Sequence, residues 1–262
     1  MERVNIVKSV SRALDIIHII SSHKDGLGVT DISKQMDINK SSVFRILATL
    51  VQYGYVEQDQ ETSRYKLGYA FLDLSAKLLD SIDLRAEAKP FLKELETLTN
   101  EVIHLVVYDR DEVVYIEKLE GNETLRMHSK VGRRAPMHCT GVGKAILSHL
   151  SANVVFDILD SKGMHEHTEH TITDKDAFFR ELTKVRKQGY ALDLEENEIG
   201  ISCIAVPIFN HLGHVIAAAS VSGPSTRMTE ERLAKLRKLM IETGNKISER
   251  LGWQGSQVLS GN

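Results

Sequence analysis

Cysteine, proline and tryptophan are scarce in this chain of 262 residues, which has two cysteines, four prolines and one tryptophan. Cys139 and Cys203 are too few for a disulfide framework, so we expect a reducing compartment. The first five residues also lack the basic and then apolar order of a signal peptide. These absences predict a cytoplasmic protein rather than a secreted one.

An excess of either charge is missing too, because 33 lysines and arginines stand against 36 aspartates and glutamates, for a net charge of −3. A global positive field that would attract a polyanion is therefore excluded. Charged residues make up 26% of the chain and hydrophobic residues 42%, which are ordinary values for a globular protein. Wholesale disorder is excluded as well.

One stretch, residues 200–226, contains no charged residue and is long enough to cross a bilayer. Pro207 and the polar residues at 210–214 divide it into two runs that are too short to span one. We therefore predict two buried strands joined by a turn, and no membrane segment.

Apolar residues at helical spacing dominate the chain up to about residue 84. Thr30 is placed to cap the second helix and Asn39 the third, and Gly54 is placed to end the third. Three short helices followed by a hairpin form the layout of a winged helix-turn-helix. The first predicted helix carries Ala13, Ile16, Ile17 and Ile20; the others cover residues 31–36, 40–53 and 69–81, and the hairpin strands cover 55–57 and 64–67.

Strands neighbour strands in the second half, and helices are grouped between them. This order predicts an α+β domain with an antiparallel sheet. The predicted strands are 102–108, 113–119, 124–131, 191–195, 201–209 and 214–222; the predicted helices are 86–100 (kinked or begun near Pro90), 141–150, 153–159, 174–188 and 229–251.

The third predicted helix carries the candidate DNA-reading surface. Hydroxyl and N–H groups at its start suit phosphates, and Arg45 can form a two-pronged contact with a guanine edge. No acid occurs between Asp37 and Glu57, so Lys40 and Arg45 make the helix locally basic, and Arg64 and Lys66 extend the basic surface to the hairpin. Its predicted core side is Val43, Phe44, Ile46, Leu47, Leu50 and Val51; its predicted polar side is Ser41, Ser42, Arg45, Thr49 and Gln52.

The pattern alone leaves a second interpretation open. Residues 1–80 contain ten basic and ten acidic residues, and a neutral domain binds polyanions poorly. A small helical module that binds protein would show the same periodicity. The alternative is therefore a metabolite-binding interaction module that lacks specific DNA binding.

The string PMHCTGVGKA at residues 136–145 is the most informative part of the second half. A Gly-x-Gly sequence that opens a helix leaves N–H groups free at the positive helix end, which favours a carboxylate or a phosphate. It is not a nucleotide-binding P-loop, which would need glycine at His138 and a hydroxyl residue at Ala145. A close packing contact between helix and sheet is the open alternative.

Metal and nucleophile signatures are weak. His165, His167 and His170 are not spaced as ligands on a helix, and the surrounding threonines favour a loop, so we expect no metal ion. No nucleophile signature surrounds Cys139 or Cys203. We expect neither an enzyme nor a bound cofactor.

Two strings resemble the isocitrate-lyase-regulator (IclR) family of bacterial transcription factors: SVSRALDII at residues 9–17 and NKSSVFRILATL at residues 39–50. GYV at residues 54–56 matches the same pattern, and the resemblance covers nearly the whole chain. It implies an α+β protein with a winged helix-turn-helix, a linker helix, and a GAF/profilin-like effector domain built on an antiparallel sheet. The corresponding boundaries are 1–68, 69–84 and 85–252, followed by a flexible tail at 253–262.

The resemblance also implies a function. Family members are effector-responsive regulators, more often repressors, and are often dimers that pair into tetramers on DNA. Symmetric half-sites predict a palindromic double-stranded operator. The apolar side of residues 69–81 and the stripe of Ala13, Ile16, Ile17 and Ile20 are candidate dimer contacts. The DNA-binding candidates are Lys40, Ser41, Ser42, Arg45, Thr49, Arg64 and Lys66.

In the second half, the resemblance places a small acid at the backbone of Gly141 and Val142. Asp193 matches an acidic position that accepts ligand hydroxyls or shares a proton, and Cys203 matches a pocket cysteine. The residues alone allow simpler roles, because free cysteines are often buried and Asp193 could cap or pair on the surface. The effector-binding candidates are Met137, Gly141, Val142, Asp193, Cys203, Ser220 and Ser222.

The expected effector is a small hydroxy or keto acid. LRMHSKVGRR at residues 125–134 resembles the members that sense sugar-acid catabolites such as keto-deoxygluconate, whereas residues 137–145 and 220–224 resemble the glyoxylate/pyruvate sensor nearly as well. We expect its carboxylate at the helix start. Arg126, Arg133 and Lys144 are rival partners for that charge.

Overall fold

A computed structural model describes residues 6–120 and 129–255 of the chain. These residues form two compact units that divide between Ile82 and Asp83. The predicted domain boundaries place a linker at residues 69–84, and they stay a prediction.

The first unit is a three-helix domain with a small hairpin. The core is formed by Ile16 and Ile20 of the first helix, Ile32 of the second, and Val43 and Leu47 of the third. The two strands pair antiparallel and form the wing, so the winged helix-turn-helix is confirmed. The elements are α1 (Lys8–Ser21), α2 (Val29–Met36), α3 (Lys40–Gln52), β1 (Val56–Gln58), β2 (Tyr65–Leu67) and α4 (Ala70–Ser81).

Local chemistry sets the ends of α2 and α3. The Asn39 side chain accepts a hydrogen bond of 2.8 Å from the Ser42 N–H, as a helix cap should. Gly54 follows α3 with φ of +73°, a conformation that costs glycine little. The prediction for Thr30 is wrong, because α2 begins at Val29, two residues earlier than predicted, and Gly28 occupies the cap position.

The second unit contains a six-stranded sheet and five helices among its described residues. Its strands are β3 (Val102–Asp109), β4 (Glu112–Leu119), β5 (Arg134–Ala135), β6 (Ala191–Leu194), β7 (Ile201–Phe209) and β8 (Val215–Pro224). Its helices are α5 (Leu84–Thr99), α6 (Gly141–Leu147), α7 (Ala152–Lys162), α8 (Lys175–Gln188) and α9 (Glu230–Arg250).

The strands of this sheet run in the order β5-β4-β3-β8-β7-β6, and every neighbouring pair is antiparallel. Helix α6 packs on one face, where Gly141 meets Cys203 of β7. Helix α9 packs on the other, where Gly244 meets Val206. Because side chains alternate along a strand, the residues that share a face with Cys203 lie beneath α6.

The register brings polar residues together on that face. Cys203 is paired with Asp193 of β6 on one side and with Ser222 of β8 on the other. Ser220 is paired with His104 of β3. The uncharged stretch thus forms β7, a turn and β8, as predicted, and no helix in the described part of the chain is long and apolar enough to span a membrane.

Two predictions in the second unit differ from the structure, and one strand has no counterpart among the predictions. The strand predicted at 124–131 falls mostly outside the described residues, and those described, 129–131, are not in a strand. Strand β5 was not expected, since two residues are too short to show alternation. Pro90 lies within α5, which begins at Leu84 with the Asp83 side chain as its cap.

Candidate functional site

Helix α3, the third helix of the first unit, presents an exposed basic face that begins at its N-terminal end. Lys40, Ser41, Arg45 and Thr49 are exposed, and Ser42 is half-buried. In the part of the chain that the structure describes, Lys40 and Arg45 have no acidic partner within 4.0 Å. Their charges are therefore available to a polyanion such as DNA.

The interpretation of Phe44 and Val51 as core residues is wrong. Phe44 is 57% exposed and Val51 is 40% exposed, whereas Val43, Leu47 and Leu50 are buried. A helix on a small core buries one narrow stripe, and Phe44 is one position outside it. Phe44 consequently lies on the exposed face beside Arg45, where an apolar ring suits the methyl group of thymine.

The wing contributes less free charge than the sequence suggests. Lys66 Nζ is 3.7 Å from Asp59 Oδ2, and Arg64 donates a hydrogen bond of 3.4 Å to the Gly26 carbonyl. Asp59 also accepts hydrogen bonds from Thr62, which lower the pKa of its carboxyl and fix the turn. Both cations remain exposed, so they can still reach phosphates at the cost of these contacts.

A cavity of about 800 Å³ lies between the start of α6 and the polar face of the sheet. It brings together most of the predicted effector residues: Gly141, Val142, Asp193, Cys203, Ser220 and Ser222. Met137 does not line it. That side chain is buried in the apolar core and lines a neighbouring cavity of about 330 Å³ instead.

The start of α6 is held tightly against the sheet. A Cβ on Gly141 would lie 2.7 Å from Cys203 Sγ, and one on Gly143 would overlap the Met137 carbonyl. Both glycines are thus required by close packing. This is the role that the sequence left open as the alternative to anion binding by the Gly-x-Gly string. The hydroxyl of Thr140 accepts the Gly143 N–H. Two N–H groups remain before the first intrahelical hydrogen bond: that of Gly141, which faces the Cys203 sulfur, and that of Val142.

Asp193 is buried at the edge of the cavity. Its Oδ1 accepts hydrogen bonds from the backbone of Glu196, at 2.8 Å, and of Asn197, at 3.4 Å. Burial, followed by the nearby Glu196 carboxylate, raises the pKa of Asp193 to about 7. Near neutral pH this carboxyl can therefore either donate a hydrogen bond to a ligand oxygen, when protonated, or accept one from a ligand hydroxyl, when ionised.

His104 completes the polar floor of the cavity. Its Nε2 is 2.8 Å from Ser129 Oγ, and its Nδ1 is 3.4 Å from Ser220 Oγ and 3.5 Å from Ser222 Oγ. Burial lowers the pKa of His104 to about 3, so the ring is neutral. A neutral ring flanked by three hydroxyls suits hydroxyl and carbonyl groups better than a carboxylate.

Of the rival cations, Lys144 is not available to a ligand. It is 1% exposed and is paired with the buried Glu196. Arg133 lines the cavity and is exposed, so it stays a candidate partner for an acid. Arg126 lies outside the described residues.

Comparison with known proteins decides the family. The description "IclR helix-turn-helix domain" matches residues 9–60, and "Bacterial transcriptional regulator IclR C-terminal" matches residues 76–249. The chain belongs to the IclR family. It is a DNA-binding transcriptional regulator, and regulators of this family bind DNA and small-molecule effectors.

Individual IclR proteins are similar over almost the whole chain. The transcriptional regulator KdgR of Escherichia coli (strain K12) is 38% identical over 247 residues, which cover 94% of each chain. The transcriptional repressor AllR of the same organism is 31% identical over 245 residues, covering 94% of this chain and 90% of AllR. The crystal structure of the Thermotoga maritima IclR is 32% identical, with a TM-score of 0.64, and covers 94% of this chain and 99% of its own.

Sequence reasoning missed several residues that line the cavity of this IclR protein, among them His104, Tyr115 and Asn197. His104 had a signal, because a polar residue in the apolar strand β3 needs a buried partner. Tyr115 stacks edge-on against His104 with ring centroids 4.9 Å apart, a contact that requires the strand register. Burial raises the pKa of Tyr115, so its hydroxyl stays a donor.

A second group of polar side chains lies beside the cavity. One ring nitrogen of His138, one of His167 and the sulfur of Cys139 all lie within 4.8 Å of one another. Among the residues that the structure describes, this group has a set of donor atoms that could bind a metal ion. The loop histidines His165 and His170, considered with His167 in the sequence, are not part of the group.

Proposed function

We propose that this IclR protein is a repressor of an operon for the catabolism of a small hydroxy, keto or sugar acid, acting in the cytoplasm. The observation that carries the effector class is the cavity under α6, where Asp193, His104, Ser220 and Ser222 provide hydroxyl-binding groups. Its volume of about 800 Å³ leaves room for a chain with several hydroxyl groups. The similarity to the repressor AllR supports repression over activation.

For DNA, we propose that α3 enters the major groove of a palindromic operator. Lys40, Ser41 and Ser42 would bind phosphates at the helix start, and Arg45 and Thr49 would face the bases. Arg64 and Lys66 would extend the contact from the wing.

A palindrome requires at least a dimer, and we propose that exposed apolar residues of the first unit form its contacts. Helix α4 buries none of its side chains within its unit, and Leu72, Leu78 and Leu79 are exposed. On α1 the predicted contact needs correction, because Ile16 and Ile20 are buried in the core. The exposed residues Val10 and Leu14 replace them as candidates, together with α4.

For the effector, we propose that the carboxylate binds the N–H groups of Gly141 and Val142. Its hydroxyl or carbonyl oxygens would face Asp193, Ser220 and Ser222, and Cys203 would contribute a small apolar wall. This orientation keeps two negative charges apart, because an acid placed directly against an ionised Asp193 would be repelled.

The function is tested by selecting duplexes from a random library with the full chain, followed by a thermal-shift panel of sugar, keto and aromatic acids. We expect one palindromic sequence to be enriched. We also expect that the acid with the largest shift releases the protein from this sequence. If the library yields no preferred sequence, the proposal of a sequence-specific repressor is contradicted. If only aromatic acids shift the melting temperature, the proposed effector class is contradicted.

Val142→Pro should weaken binding of the sensed acid by about 10- to 100-fold, because it deletes one N–H donor to a charged group. Val142→Ala keeps that donor and is the matched control, so it should bind nearly normally. Arg133→Ala removes an exposed charge and should cost much less. Calorimetry on the three folded variants checks this; if only Arg133→Ala abolishes binding, the acid lies elsewhere.

Affinity for the acid should fall as pH rises above about 7. Protonated Asp193 tolerates an anion in the cavity, whereas the ionised form, already beside Glu196 and partly offset by Lys144, repels it. One linked proton limits the loss to about tenfold per pH unit. Calorimetry between pH 6 and 9 measures the slope, and Asp193→Asn should flatten it. An equal slope in that variant would assign the linkage to another group.

A further inference from the structure

The two segments that meet beside the cavity bring together a set of nitrogen and sulfur donors. His138 and Cys139 precede α6, and His167 lies in the loop between α7 and α8. Their ligand atoms lie within 4.8 Å of one another. His138 is 4% exposed and Cys139 is fully buried, so two of the three donors are fixed by packing.

This donor set has the chemistry of a zinc ligand set. Zinc binds imidazole nitrogen at about 2.0–2.1 Å and thiolate sulfur at about 2.3 Å, which places tetrahedral ligands about 3.3–3.6 Å apart. In the structure the three donor atoms lie within 4.8 Å of one another, up to about 1.2 Å farther apart than in a formed site. His167 is exposed, so its side chain can rotate towards the other two donors when an ion binds.

The orientation of His138 supports a role as a ligand. Its Nε2 lies 2.9 Å from the carbonyl oxygen of His165. When this nitrogen donates its proton to the carbonyl, the lone pair remains on Nδ1, which is the arrangement that orients histidine ligands in metal sites.

Hydrogen bonds hold the segment that carries His167 in place. The N–H groups of His167 and Thr168 both donate to Thr171 Oγ1, at 3.1 and 3.0 Å. Thr168 Oγ1 donates to the Glu195 carbonyl at 2.6 Å, which ties the loop to the end of β6. The backbone that carries the third donor is therefore held in place before any ion arrives.

An ion can also reach this position. His167 lines both the large cavity and the neighbouring smaller one, so the group is open to solvent on that side. Three protein ligands leave the fourth tetrahedral position open, and such open sites accept water or a ligand oxygen.

We propose that His138, Cys139 and His167 bind one zinc ion per chain at the wall of the effector cavity. The metal–sulfur bond forms as the Cys139 thiol releases its proton to solvent. The site is independent of the proposed function, because metal binding is measured without DNA or effector.

The test is a titration of the full untagged chain with Co²⁺, followed by displacement with Zn²⁺. We expect one equivalent to bind, with a thiolate-to-cobalt charge-transfer band and the strong visible bands of tetrahedral cobalt. Cys139→Ser should abolish the charge-transfer band. Loss of an outer hydrogen-bond partner typically costs about 10- to 100-fold in affinity, so His167→Ala, which removes a ligand, should cost at least about 100-fold.

His170→Ala is the matched control, since it removes another exposed histidine from the same loop and should leave the titration unchanged. His167→Ala changes an exposed side chain, so its fold should be preserved, and circular dichroism verifies this. The proposal is overturned if no stoichiometric binding occurs, if His170→Ala weakens binding as much as His167→Ala, or if the band survives Cys139→Ser and is lost in Cys203→Ser.

Discussion

Replacing Lys144 by methionine should destabilise the second unit by about 3–5 kcal/mol, because it leaves a buried carboxylate without its partner. Lys144 is 1% exposed and is paired with Glu196, which is 7% exposed. Glu196 Oε2 has no hydrogen-bond partner among the described residues, so the lysine is its main compensation. The chain's single tryptophan, Trp253, stacks on Phe209 in this unit. Its fluorescence during urea unfolding of the full chain therefore reports the unit directly.

The same pair positions one wall of the effector cavity. The Glu196 carbonyl accepts a hydrogen bond of 2.6 Å from Thr171 Oγ1, and its N–H donates to Asp193. The following residues, Asn197 to Gly200, line the cavity. Lys144→Met should therefore also weaken effector binding, although Lys144 is not expected to touch the effector.

A double variant separates charge from packing. Lys144→Met combined with Glu196→Gln removes both charges, and it should recover most of the lost stability, since neutral replacement of a buried pair is often tolerated. Lys235→Met, which breaks an exposed pair with Glu231, is the control and should change stability far less. If Lys144→Met unfolds no more readily than Lys235→Met, the buried pair does not stabilise the unit.

The sequence predicts the helices and long strands of this protein well because their signals are local. Asn39 caps α3 as its residue type requires, and β7 spans the residues that the uncharged run predicts. Phe44 shows the limit of this logic. Apolar character assigns it to the core, but the width of the buried stripe is set by the packing of α1 and α2 against α3.

The candidate sites depend on tertiary contacts that spacing does not encode. Asp193, Cys203 and Ser222 become neighbours only through the pairing of three strands, so the family resemblance identified them and periodicity did not. The group of His138, Cys139 and His167 was missed for the same reason. The sequence places His167 among other histidines of its loop, whereas its partners lie in a different segment.

Arg45→Ala should cost about 1–3 kcal/mol of binding to the selected operator, or about 5- to 150-fold in affinity, and flatten the base preference at one position of each half-site. Arg45 is exposed on α3 and has no acidic partner within 4.0 Å among the residues described, so its guanidinium is available to a guanine edge. Its removal should leave the fold intact, because the core of the unit lies on the opposite face of the helix. Fluorescence anisotropy on the selected duplex and on its single-base variants measures both effects.

Lys77→Ala is the matched control, since it removes a cation that is already paired with Asp73 on α4. It should change affinity little and base preference not at all. A salt titration distinguishes base recognition from a phosphate contact. If Arg45→Ala weakens all duplexes equally and lowers the salt dependence by about one charge, Arg45 binds a phosphate and does not read a base. If Arg45→Ala changes neither affinity nor specificity, Arg45 does not contact the DNA.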